Sequence, residues 1–122
     1  MAIPTRLMGS GFAAQQAVNV CGDVTDSITA TGTTNADAVQ LSSAINRVTT
    51  TAASTGARLM LPEAGSQVVV VNSGANALLV YPGTGASINA LTATTGGFSV
   101  AAGGRALFVG TSSANWFAVL SA

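Results

Sequence analysis

The chain has 122 residues, only 7% of them charged, and its four arginines balance three aspartates and one glutamate to a formal net charge of zero. That length fits one domain. With no lysine and no histidine, the imidazole base, the Schiff-base amine and the phosphate-cradling lysine are missing, which removes most catalytic templates. Zero net charge gives no steering toward nucleic acid or an anionic membrane. Soluble monomers carry about 25% charged residues, so this surface must be built from Thr, Ser, Asn, Gly and Ala, as suits a chain living in an assembly.

The opening Met1-Ala2-Ile3-Pro4-Thr5-Arg6 has no basic region leading into an apolar one, so no secretory signal and synthesis in the cytosol are expected. Residues 1–35 hold a Pro, a Met-Gly-Ser-Gly break and a Thr/Gly run, with too few bulky apolar residues for their own core. They read as an extended arm. Ser10 can cap a short helix over Phe12 to Val20, which needs a packing partner to persist. Cys21 is the only cysteine. It excludes an intrachain disulfide and reads as a small hydrophobe.

Residues 36–122 read as the folded domain. Helix propensity over Asp37 to Arg47 competes with strand alternation at Val39–Ser42 and Ile45–Thr50, and Val48 followed by three threonines decides for strand in the second part. After a turn at Ser54-Thr55-Gly56, Ala57, Leu59 and Leu61 share one strand face, and Pro62-Glu63-Ala64-Gly65 ends that strand.

Next comes Val68-Val69-Val70-Val71, a five-residue loop Asn72-Ser73-Gly74-Ala75-Asn76, then Ala77-Leu78-Leu79-Val80-Tyr81. Two apolar runs around such a loop predict a hairpin. Neither arm alternates, so both faces of each strand are expected to be covered. The cover is expected from a second sheet on one side and another copy on the other. Val68, Val70, Leu79, Tyr81 and Trp116 are therefore the expected oligomer interface, in a homo-oligomer whose sheet edges no Lys protects.

Short strands at Phe98–Val100, Arg105–Val109 and Trp116–Leu120 follow. Gly74 and Gly104 are expected at turn positions with positive φ. The last pair echoes the central one, with Ala114-Asn115 standing where Ala75-Asn76 stood. The fold class expected is all-β: a small antiparallel β-sandwich or barrel with an extended N-terminal arm able to carry one short helix.

No stretch approaches the roughly 20 apolar residues of a membrane helix. Asp23 and Asp26 offer too few oxygens for a calcium site. Gly83-Thr84-Gly85 and Gly103-Gly104-Arg105 read as turns. Tyr81, Phe98, Phe108, Trp116 and Phe117 read as core or interface, because no basic groove accompanies them. No catalytic, cofactor or metal residue is assigned, and the chain is not expected to be an enzyme.

Pro4-Thr5-Arg6-Leu7, Gly22-Asp23-Val24, Thr31-Gly32-Thr33, Val48-Thr49-Thr50, Thr55-Gly56-Ala57-Arg58-Leu59, Val71 to Pro82, Ile88-Asn89 and Ala101 to Arg105 resemble small virion proteins from tailed-phage and prophage structural gene clusters. The Asn-x-Gly-Ala-Asn loop with its following Tyr-Pro is the most specific part. The best-fitting role in that group is a capsid decoration (cement) protein. The resemblance implies a trimeric β-rich knob clamped onto the major capsid protein at the outer surface of the head, with no catalytic residues. Ile3, Arg6, Leu7, Met8, Phe12 and Val20 of the arm are the expected contacts with the shell. Two alternatives stand beside it: a tail or baseplate component, and a carbohydrate-binding module using Trp116 and Tyr81 as stacking surfaces.

Overall fold

The computed structural model of the chain describes residues 8–11, 13 and 22–120. Among these residues ten strands form two facing sheets, a β-sandwich. The larger sheet has the order β1-β3-β5-β9-β10-β7, made of β1 (Val24–Thr29), β3 (Ile45–Thr50), β5 (Gln67–Asn72), β9 (Arg105–Gly110), β10 (Asn115–Leu120) and β7 (Ser87–Ile88). The smaller has the order β2-β4-β6-β8, made of β2 (Val39–Gln40), β4 (Gly56–Arg58), β6 (Leu78–Tyr81) and β8 (Phe98–Val100).

The sandwich agrees with the sequence, but the pairing is mixed rather than antiparallel throughout. From β1 to β6 the chain visits the two sheets alternately, and β1, β3 and β5 lie parallel, as do β2, β4 and β6. Parallel neighbours need a long return path. Here each return is a strand of the opposite sheet, so the first half winds as three turns of a two-layered coil. The second half closes it with antiparallel strands: β8 on β6, β9 on β5 and β10 on β9.

The central apolar pair is consequently not a hairpin. β5 and β6 belong to different sheets, and the loop between them is an arch from one layer to the other. Nor are both faces of β5 covered. Val68, Val70 and Asn72 are buried, whereas Val69 and Val71 are half-buried, because side chains alternate across a strand even where the sequence is uniformly apolar.

The core between the layers joins Leu41, Val48, Leu59, Val68, Val70, Leu78, Val80, Ile88, Val100, Phe108 and Trp116. Phe98 of the smaller sheet meets Phe108 of the larger edge to face, with ring centroids 5.6 Å apart. That is a favourable aromatic geometry, and it ties the closing strands across the layers.

The fold begins earlier than residue 36. β1 pairs with β3, and the loop after it is tied down: Tyr81 Oη donates to the Thr33 carbonyl at 2.7 Å, Arg58 Nη1 donates to the Asn35 carbonyl at 3.1 Å, and the Gly83 amide donates to Asn35 Oδ1 at 3.1 Å. Residues 24–35 are thus built into the sandwich. Cys21, the helix expected over Phe12 to Val20 and the shell contacts Ile3, Arg6, Leu7, Phe12 and Val20 lie outside the described residues, apart from an exposed Ala13. Met8 is described and exposed.

Neither Gly74 nor Gly104 has positive φ; in the second turn Gly103 does, at 77°. Gly74 answers to a different constraint. A Cβ there would crowd the Thr51 hydroxyl and stand 2.8 Å from the Thr51 amide nitrogen.

Candidate functional site

The three aspartates are committed to structure. Asp37 Oδ1 accepts from the Thr34 hydroxyl at 2.8 Å and from the Thr34 and Thr33 amides at 2.8 and 3.1 Å, and these bonds, Thr34's first, hold its carboxyl below the ordinary aspartate value. Asp26 is held low by the Ser27 amide and then by Arg47, whose Nη1 lies 3.0 Å away. Asp23 is held low by the Ala44 amide, at 2.9 Å. A carboxylate so stabilised is poorly matched to proton transfer near neutrality. Among the described residues no group of three or more Cys, Asp or Glu is placed to hold a metal, and no helix is long and apolar enough to cross a membrane.

The surface expected from the central run lies elsewhere. Val68, Val70, Tyr81 and Trp116 are buried within one subunit, and Leu79 is half-buried. Four of the five expected interface side chains therefore belong to the core. Burial also removes Trp116 and Tyr81 as stacking platforms for a sugar. A cleft of about 320 Å³ beside Asp23, Glu63 and Met60 touches Trp116, but the indole Nε1, though it makes no hydrogen bond, is shielded from solvent. It offers no donor to a ligand there.

What the fold does expose is the outer face of the larger sheet. Five aliphatic side chains stand in one line across it: Val24 on β1, Ile45 on β3, Val69 on β5, Leu107 on β9 and Val119 on β10, each the registered neighbour of the next. On one side of this row runs Gln67, Val109, Phe117; on the other runs Arg47, Val71, Arg105. Strand alternation produces the face directly, because the residues between these point into the core.

Val24 and Val119 remain 61% and 62% exposed and Phe117 54%. Of the large apolar side chains exposed among the described residues, Val24, Leu107, Phe117 and Val119 belong to this face, Leu120 ends β10 with the parity of buried Trp116, and Met8, Met60, Leu61 and Leu91 lie elsewhere. A groove of about 240 Å³ crosses its β9–β10 side, lined by Val69, Arg105, Ala106, Leu107, Val119 and Leu120. A contiguous apolar patch of this kind marks a contact surface, whereas single exposed apolar residues do not.

Sequence reasoning missed this face although half of its signal was visible. Arg105-Ala106-Leu107-Phe108-Val109 and Trp116-Phe117-Ala118-Val119-Leu120 are apolar at both parities, so a sandwich with one core must leave one parity outside. Which parity faces out required the register. Comparison with known proteins finds no matching family model, no matching curated protein and no matching solved structure.

Proposed function

We propose that this chain is a structural protein of a tailed-phage particle, a decoration (cement) protein that sits on the outer surface of the head as an oligomer and stabilises the shell. The observation that carries the reading is the exposed aliphatic face of the larger sheet: a broad contact surface on a domain whose three aspartates are engaged in holding its own loops. The resemblance of the sequence to small virion proteins supports the same role. In this reading the sheet face joins copies to one another, and the residues before β1 attach to the major capsid protein. Several weak attachments on one oligomer then bind together, each made effective by the others.

Heads lacking the protein, mixed with the purified full chain and sedimented, should carry it down at a fixed ratio and resist heating better than bare heads. A chain lacking residues 2–20 should stay folded and oligomeric but remain in the supernatant; the cut stops there because β1 begins at Val24. Wild-type occupancy by the truncated chain would move attachment onto the β-domain. Failure of the full chain to bind heads would refute the decoration role.

A further inference from the structure

We infer that the exposed face of the larger sheet is covered by a second copy of this chain, related to the first by a twofold axis running along the row Val24, Ile45, Val69, Leu107, Val119. This deepens the reading above by naming what covers the face. Its test involves no particle, so a failed dimer and a failed decoration assay are separate results.

Size comes first. Five strands about 4.8 Å apart and three rows about 7 Å apart give a footprint of roughly 400 Å² in projection, before the relief of the side chains is counted. A standard interface takes about 800 Å² of accessible surface from each partner. The face is thus on the scale of a modest interface, and two such faces stack as sheets do, about 10 Å apart.

Charge chooses the axis. If the axis ran along β5, it would set β3 of one copy over β9 of the other, and Arg47 would face Arg105. An axis along the aliphatic row instead lays each of its residues against its own counterpart. Val71 then lies over Gln67 and Arg105 over Val109 of the other copy, each on its own strand, and the arginines of the two copies are kept apart. A threefold ring would have to join two different surfaces, whereas this row matches itself.

Shape agrees. The same axis carries Phe117 of the second copy over the groove bounded by Arg105, Leu107, Val119 and Leu120. At about 240 Å³ the groove has room for one ring, since an apolar cavity of about 150 Å³ holds a benzene molecule. Arg105 on its rim adds a cation–π contact to the seated ring. Each copy supplies one knob and one hole, which is the self-complementarity an isologous contact requires.

The test is sedimentation of the full chain across roughly 1 to 100 micromolar, a range suited to an interface of this size. The mass should rise from one subunit to two. Val119→Asp and Val119→Lys should each sediment as one subunit with an unchanged circular dichroism spectrum, because position 119 meets itself across the axis. Mixed in equal amounts, they should form a two-subunit complex. Phe117→Ala should weaken dimerisation by about tenfold or more. If the substitutions at 119 disturb folding, Val24→Asp and Val24→Lys on the same row give an independent pair. A wild-type chain that stays a single subunit at the highest concentration, a three-subunit mass, or charge-swapped chains that ignore one another would each overturn the inference.

Discussion

The link from β5 to β6 and the link from β9 to β10 both lead from an apolar strand through small residues to Ala-Asn and into a second apolar strand, yet the first changes sheet and the second turns back on itself. Their polar groups explain the difference. In the β9–β10 link the amide donors stay local, the Thr111 amide donating to the Asn115 carbonyl at 3.1 Å and the Ala114 amide to Ser112 Oγ at 3.2 Å, while the Ala114 carbonyl and Asn115 Oδ1 accept from Ser87 of β7. In the β5–β6 link they reach outward. Buried Asn72 donates through Nδ2 to the carbonyls of Asn76, Val100 and Ala101, and Asn76 Nδ2 donates to the Thr51 carbonyl at 2.8 Å. A loop whose side-chain donors are taken by neighbouring loops is held as an arch, and one whose donors stay within it closes as a hairpin.

Gly74→Val should break the arch most severely. Its side chain would enter the space of Thr51 and cost about 3 kcal/mol, the upper end for overpacking. Ser113→Val in the exposed hairpin loop should stay within about 0.5 kcal/mol of wild type. Thermal or denaturant melts read both, and equal midpoints would mean that the two links are held alike. Next in size, Asn72→Ala should cost about 2 kcal/mol, because it strands buried carbonyls that have lost their donor. Ser112→Ala, which removes only local bonds at the surface, should be near neutral.

The smallest effect separates the two ends of the molecule by pH. Asp23, Asp26 and Asp37, all held low, lie in the first turn of the coil, whereas no acidic residue lies on β9 or β10. A lowered folded-state value means that the folded protein binds fewer protons than the unfolded chain. The contribution is present above the unfolded value near pH 4 and is lost as pH falls through the folded ones. Hydrogen exchange below about pH 4 should therefore rise at the Thr33 and Thr34 amides, corrected for intrinsic rates, before it rises in the β9–β10 ladder. Uniform loosening would show that these carboxylates do not hold the first turn.

The reading of β3, β9 and β10 from sequence placed strands where they form, because Val-Thr-rich and aromatic runs bounded by small residues suit a pleated, half-buried surface in any context. The start of the domain was placed too late. Thr29 to Asn35 looks like arm by composition, and bonds from Tyr81, Arg58 and Gly83, far along the chain, anchor it. The interface residues were misplaced for a related reason. An unbroken apolar run reveals that much of it is buried, but not which parity faces the subunit's own core.

Composition alone shows a chain without histidine or lysine, and its short β-branched and aromatic runs settled an all-β fold. Tertiary structure decided what each run pairs with. The hydrogen-bonding partners of a strand are not written in the strand itself: β5 takes parallel β3 on one side and antiparallel β9 on the other. That register, set by which side chains can share one core, turns Val24, Ile45, Val69, Leu107 and Val119 from five separate apolar residues into one exposed row.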